Sequence, residues 1–100
     1  MKITYRREAG RHQLTLEGHA DFGKEDIVCA AASCLFYSLY SACAKKDSDL
    51  RGKAQWGDSY IICARNMHCD NYFEMAEEGF EALSEQYPKN VKFLKIVKDI

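Results

Sequence analysis

Two short segments near the start of the chain, Lys2–Arg6 and Gln13–Glu17, alternate between apolar and polar side chains. A period of two places successive side chains on opposite faces of a β-strand. Glu8-Ala9-Gly10 lies between the two segments and is typical of a turn. The pattern therefore predicts a β-hairpin with one apolar face. The inward positions are expected to be Ile3, Tyr5, Leu14 and Leu16.

From Ile27 to about Lys45 the apolar positions follow a period near 3.6, which predicts an α-helix. This helix has more apolar positions than one buried face needs, so it requires burial on more than one side. The second covering layer is either another helix or a partner subunit. The main stripe is expected at Val28, Ala31, Leu35, Leu39 and Ala42, with flanks at Ile27, Cys34 and Tyr37 and at Phe36, Tyr40 and Cys43.

A second hairpin is predicted around Gly57-Asp58, which separates the segments Arg51–Trp56 and Ser59–Arg65. Ile61 and Cys63 make the later segment apolar on both faces, so its alternation does not decide which face is buried. The residues expected to point inward are Ala54, Trp56, Tyr60, Ile62 and Ala64.

Asn71 is expected to cap a second helix that runs to about Gln86 and is stopped by Pro88. Val91–Val97 then carries interspersed lysines, which is typical of a strand at the edge of a sheet. The second helix is expected to bury Tyr72, Ala76, Phe80, Leu83 and Tyr87.

The predicted order is therefore ββαββαβ. This order favours an α+β fold with two layers, in which a mostly antiparallel sheet packs with two helices. A chain of 100 residues with one proline fits a single domain spanning residues 1–100.

The amino-acid composition argues against nucleic-acid binding and membrane association. The net charge of -1 provides no electrostatic attraction for nucleic acid, so no direct nucleic-acid contact is expected. We see neither a signal peptide nor an apolar run of the ~20 residues that a membrane span needs, and we expect a cytoplasmic protein without a membrane partner. A domain of this size has a limited core and would gain stability from pairing with a second copy, so we expect a homodimer with Phe36, Tyr37 or Tyr40 near the partner.

The five cysteines include no C-x-x-C pair, and reduced thiols are expected. Cys63, His68 and Cys69 can be considered as metal ligands, but their spacing matches no zinc template and a fourth ligand is not evident. No metal or other cofactor is therefore expected. Packing is the expected role of Cys34, Cys43, Cys63 and Cys69.

The candidate chemistry lies in Gly18-His19-Ala20 and in the start of the first helix. Asp26 is a suitable N-cap, which makes Cys29 the third helical residue. The first turn of a helix provides the positive potential that favours a thiolate, and His19 at a strand end can accept the thiol proton.

These residues also carry a resemblance. Gly18-His19-Ala20, followed by Asp26-Ile27-Val28-Cys29-Ala30-Ala31-Ala32-Ser33, resembles the signature of the ribosomal-processing cysteine protease Prp family. Leu83-Ser84-Glu85-Gln86-Tyr87-Pro88 is similar as well. In the family the loop between the two motifs is usually slightly longer, whereas Gly23-Lys24-Glu25-Asp26 is compact here.

The resemblance implies a cysteine endopeptidase with His19 and Cys29 as its catalytic pair. It also implies the substrate, an N-terminal extension of the large-subunit ribosomal protein numbered twenty-seven, with aromatic residues before the cut in an extended segment. Supporting roles are expected for Asp21, Asp26 and Ser33, and the cleft is expected to include Gly18, Ala20, Gly23 and Ala30.

Two other classes of function stay open on the sequence. The domain could be a homodimeric adaptor that binds a peptide or assists ribosome assembly without catalysis. It could also be a thiol-redox enzyme, which the missing C-x-x-C disfavours. Rapid alkylation of Cys29 near neutral pH is expected of a catalytic thiol and would argue against the adaptor.

Overall fold

Seven elements follow one another in the predicted order. The computed structural model describes residues 1–21, 23, 26–55 and 57–98. The elements are β1 (Lys2–Glu8), β2 (Arg11–Glu17), α1 (Ile27–Ala44), β3 (Arg51–Gln55), β4 (Asp58–Ala64), α2 (Met67–Gln86) and β5 (Lys92–Lys98). The α+β class and the ββαββαβ order are confirmed.

The five described strands form one sheet in the order β3-β4-β2-β1-β5. Every pairing is antiparallel except that of β5 with β1, which is parallel and begins at Lys2 and Lys92. A parallel pairing needs a crossover connection, and α2 provides it. The predicted edge position of the last strand is confirmed.

The inward face of β4 differs from the prediction. Leu14 of β2 pairs with Ile61, and Cys63 lies two residues further along the same face. Ile61 and Cys63 are buried, whereas Ala54 and Ala64 are exposed. Because β4 is apolar on both faces, only the register with β2 decides which face meets the helices. Tyr60 and Ile62 are half-buried, and Trp56 lies outside the described residues.

The core stripe of α1 is also rotated relative to the prediction. Its buried residues are Val28, Cys29, Ala32, Phe36, Leu39 and Cys43. Leu35 instead faces α2, where a Cβ atom on Gly79 would lie 2.9 Å from both Leu35 methyl carbons. Helix α1 therefore packs on the sheet through one stripe and on α2 through the next, while Ile27, Cys34 and Tyr37 are exposed.

Helix α2 begins five residues earlier than expected. Asn66, not Asn71, is the N-cap, and its Oδ1 accepts a hydrogen bond of 2.8 Å from the Cys69 N–H. The extra turn adds Cys69 to the buried stripe. The stripe comprises Cys69, Phe73, Ala76, Phe80 and Leu83, and Tyr72 and Tyr87 are only half-buried.

His12 has partners that the sequence did not suggest. Its ring is buried in β2, with Nδ1 2.8 Å from the Tyr5 hydroxyl and Nε2 2.6 Å from Asp70 Oδ1. Arg65 also donates to Asp70 and, with His12, holds the pKa of that carboxyl below its usual range. This network joins the first hairpin to the start of α2.

By length and composition, α1 is also apolar enough to cross a membrane. The core helix of a soluble protein can meet the same criterion, so this is weak evidence for a span.

Candidate active site

The backbone around His19 is held from several sides. Gly18, at a φ of 78°, donates its N–H to the Gly57 carbonyl at 2.8 Å, which joins the end of β2 to the β3–β4 turn. The Asn90 side chain donates to the Ala20 carbonyl at 2.8 Å, and the Met1 nitrogen donates to the His19 carbonyl at the same distance. These bonds fix the strand end that presents the imidazole.

The ring of His19 lies directly against Gly57. A Cβ atom at that glycine would be 2.7 Å from His19 Cε1 and 2.8 Å from Nε2. Gly57 also has a φ of 75°, which strains any residue with a side chain. The sequence suggested only a turn at this glycine. Its closeness to His19 follows from strand pairing that the local sequence does not display.

Cys29 lies at the third position of α1, as predicted. The Asp26 carboxylate caps the helix and accepts the Cys29 N–H at 2.8 Å. The Ala20 N–H points at Cys29 Sγ with a separation of 3.2 Å. The thiol is therefore held between the strand end and the first turn of the helix, and Cys29 is 3 % exposed.

Two neighbouring cavities share His19, Cys29 and Ser33 in their walls. The smaller has a volume of about 70 Å³ and includes Gly18 and Gly57. The larger has a volume of about 420 Å³, and the remaining lining residues are Asp21, Gly23, Asp26 and Ala30. The fold thus brings the predicted pair together at one cleft.

The residues expected to support the site or line the cleft differ in how deeply they are buried. Asp21 is exposed on the wall of the larger cavity and has a φ of 53°. Ala20 is buried and contributes its N–H to the sulfur. Residues 22, 24 and 25 of the connecting loop lie outside the described residues. The smaller cavity also includes Tyr37, Gln55 and Ser59, which motif spacing did not single out.

Burial is the main cause that raises the pKa of the Cys29 thiol above its ordinary value. The hydrogen bond from the Ala20 N–H acts in the opposite direction, while the Asp26 carboxylate raises this pKa further. A raised pKa favours the thiol over the thiolate. A base must remove the proton before the sulfur can attack a carbonyl.

The cysteines outside the cleft do not share one environment. Cys34 is exposed on α1, so its expected packing role is wrong. Cys43, Cys63 and Cys69 are buried as expected.

The comparisons with known proteins concern the family and the fold. The family model of the cysteine protease Prp matches residues 1–92. No curated protein matches the chain. Solved structures share the fold, and three of them are described below.

The first is SMU.848 from Streptococcus mutans, with a TM-score of 0.73 and 25 % identity over 97 % of this chain and 94 % of that chain. The second is the essential ribosomal processing protease Prp from S. aureus in complex with a covalently linked product peptide. It has a TM-score of 0.67 and 20 % identity over 93 % of this chain and 98 % of that one.

The third is a hypothetical protein from Staphylococcus aureus, with a TM-score of 0.59 and 12 % identity over 94 % of this chain and 97 % of that chain. The fold of these structures agrees with the family match, which extends over nearly the whole chain. The chain therefore belongs to the Prp family of cysteine proteases.

Proposed function

We propose that this protease uses Cys29 as nucleophile and His19 as general base to remove an N-terminal extension from a large-subunit ribosomal protein, the one numbered twenty-seven. The observation that carries the proposal is the shared cleft, in which both side chains line both cavities. The reaction needs no cofactor, and we place it in the cytoplasm, where ribosomal proteins are made.

The reaction can start from a preformed thiolate–imidazolium pair or from a neutral thiol. A preformed thiolate–imidazolium pair needs a depressed thiol pKa, and burial raises this one. His19 therefore takes the proton as the sulfur attacks the scissile carbonyl carbon. The new S–C bond gives a tetrahedral intermediate. His19 then protonates the leaving amine as the C–N bond breaks, and water hydrolyses the thioester.

The hydrogen bonds of the cleft assign its backbone donors. The Cys29 N–H, in the first turn of α1, is accepted by the Asp26 carboxylate. The Ala20 N–H points at the Cys29 sulfur at a distance of 3.2 Å, where it stabilises the negative charge that the sulfur gains as its proton leaves. We assign the Ala20 N–H to that role.

The shape of the cleft supports a peptide substrate. Small residues, among them Gly18, Ala30, Ser33 and Gly57, form part of its walls and let an extended backbone approach the sulfur. The S. aureus relative is in complex with a covalently linked product peptide. A peptide acylating the sulfur of Cys29 would occupy the cleft described above. The family match argues against the non-catalytic adaptor.

The test compares cleavage of the extended N-terminal peptide of the ribosomal protein by the wild type, Cys29→Ala, His19→Ala and Cys34→Ser. We expect Cys29→Ala and His19→Ala to lose cleavage while keeping native circular dichroism. Cys34→Ser should remain active, because Cys34 is exposed outside the cleft.

A scrambled peptide of the same composition separates processing from general proteolysis. Equal cleavage of both peptides would contradict the ribosomal role and leave the protease assignment in place. Full cleavage by folded Cys29→Ala would contradict the nucleophile.

A further inference from the structure

Three thiols converge away from the cleft. Cys43 is in the last turn of α1, Cys63 is on β4, and Cys69 is in the first turn of α2. Their Sγ atoms all lie within 4.8 Å of one another, and each residue is at most 1 % exposed. We call these three residues the thiol cluster.

The cluster differs from the metal set considered on the sequence. His68 follows the start of α2 but is exposed, and its ring lies 6.5 Å from that of Tyr72. The fold brings Cys43 from α1 to Cys63 and Cys69 instead. Helix α1 and the consecutive elements β4 and α2 thus each direct one sulfur to one point.

The spacing of the sulfurs suits a thiophilic metal ion. Zn–S bonds of about 2.3 Å in a tetrahedral site place the sulfurs about 3.8 Å apart. The cluster, with separations of no more than 4.8 Å, needs only a small contraction to reach that spacing. Buried thiols that serve only as packing have no need to meet in a group of three.

Asp47 is the carboxylate that the fold holds next to this group. It follows the end of α1, and its Oδ2 accepts the N–H of Ala64, the residue after Cys63, at 2.8 Å. The Asp49 N–H holds its Oδ1 at 3.0 Å. A carboxylate held beside Cys63 in this way is a candidate fourth ligand for an ion bound by the three thiols.

We propose that Cys43, Cys63 and Cys69 bind one structural Zn²⁺ ion through three thiolates, with the Asp47 carboxylate in the fourth position. Three S–Zn bonds form, and the three thiol protons leave to solvent. The ion would tie together the end of α1, β4 and the start of α2. Cys43 lies fourteen residues along α1 from Cys29, which corresponds to about 21 Å at ~1.5 Å per residue. The ion would therefore be too far from Cys29 to take part in cleavage.

The test uses a Cys29→Ala/Cys34→Ala protein, in which the cluster provides the only thiols. The protein is reduced without oxygen and loaded with Zn²⁺ or Co²⁺ alone. We expect about one Zn²⁺ per chain after dialysis. The Co²⁺ form should show an intense sulfur-to-cobalt charge-transfer band. Adding Cys63→Ala should remove most of the bound zinc and weaken the band.

A second measurement avoids dependence on these variants. In the wild type, Zn²⁺ should protect Cys43, Cys63 and Cys69 from slow alkylation, mapped by mass spectrometry, and leave exposed Cys34 reactive. The proposal is overturned if the three-thiol protein retains no zinc, if retention is unchanged by Cys63→Ala, or if zinc protects none of the cluster in the wild type. Asp47→Asn should weaken zinc binding about tenfold or more, and unchanged affinity would overturn the fourth ligand.

Discussion

At the scale of single residues, the cleft depends on contacts that are small but specific. The Ala20 N–H reaches the Cys29 sulfur, and Gly57 leaves space for the His19 ring. Neither residue brings reactive chemistry of its own. Each positions a residue of the proposed catalytic pair, so substitution of either should lower activity.

Gly57→Ala should reduce cleavage strongly, because the new methyl would lie under 3 Å from two atoms of the His19 ring. The matched control is Gly10→Ala, where nothing lies within 4 Å of an added Cβ. We expect kcat to fall at least tenfold for Gly57→Ala, because the base would be displaced. A tenfold fall corresponds to an increase of ~1.4 kcal/mol in the activation free energy. For Gly10→Ala, kcat should stay near the wild-type value. Equal activity of the two variants would show that Gly57 does not position His19.

The thiol of Cys29 should react slowly in the free protein at neutral pH. Its raised pKa leaves less thiolate at pH 7 than an ordinary thiol has, and the thiolate fraction grows as the pH rises toward and beyond 9. This reverses the rapid alkylation expected from sequence. We expect iodoacetamide to label exposed Cys34 before Cys29 at pH 7, and Cys29 labelling to keep accelerating above pH 9, as followed by peptide mapping. Fastest labelling of Cys29 at pH 7 would instead indicate a preformed thiolate.

At the scale of elements, both helices begin with the same N-capping interaction. Asp26 caps Cys29 in α1, and Asn66 caps Cys69 in α2, each through an N–H bond of 2.8 Å from the third helical residue. In α1 the N-cap positions the candidate nucleophile, and in α2 it positions one member of the thiol cluster. The cap thus fixes a cysteine relative to the sheet in each case.

Asn66→Ala should destabilise the protein by about 1 kcal/mol, the usual cost of losing an N-cap. Asn71→Ala is the control, because Asn71 is exposed within α2 and alanine favours a helix. Urea unfolding followed by circular dichroism measures both. A larger loss of unfolding free energy for Asn71→Ala than for Asn66→Ala would contradict the cap at Asn66 and support the later helix start predicted from the sequence.

At the scale of the whole molecule, element order and class were predictable, because alternation and helical periodicity are local properties. The inward face of β4 and the buried stripe of α1 were not, since both segments are apolar on several sides and only packing chooses among them. The motif singled out His19 and Cys29, which the fold places at one cleft. Gly57 and Cys43 reach their neighbours only through the fold, and no local pattern marks those contacts.

A homodimer remains our expectation. Phe36, which we expected near the partner, is buried in the core and is not available to one, and Tyr40 is half-buried. Of the residues expected at the interface, Tyr37 is exposed. It lies on the outer flank of α1, where Ile27 is 58 % and Tyr37 55 % exposed and Cys34 is exposed between them. Helix α1 carries no charged residue, which would favour pairing of this flank with a second copy.

Light scattering at micromolar concentration should give a dimer for the wild type. Cys34→Glu places a charge at the centre of the flank and should give a monomer. Ala82→Glu adds the same charge at an exposed position of α2 and should remain dimeric. A monomeric wild type would contradict the dimer, and a dimeric Cys34→Glu variant would exclude this flank as the interface.

The most direct test of the account is the covalent capture of the nucleophile. A peptide of the ribosomal protein's N-terminal extension, ending in a chloromethyl ketone at the cleavage position, is incubated with the wild type and the adduct is mapped by mass spectrometry. The account predicts one adduct per chain, on Cys29, formed much more slowly in His19→Ala. An adduct on Cys34 alone, or the same rate on Cys29 with and without His19, would contradict it.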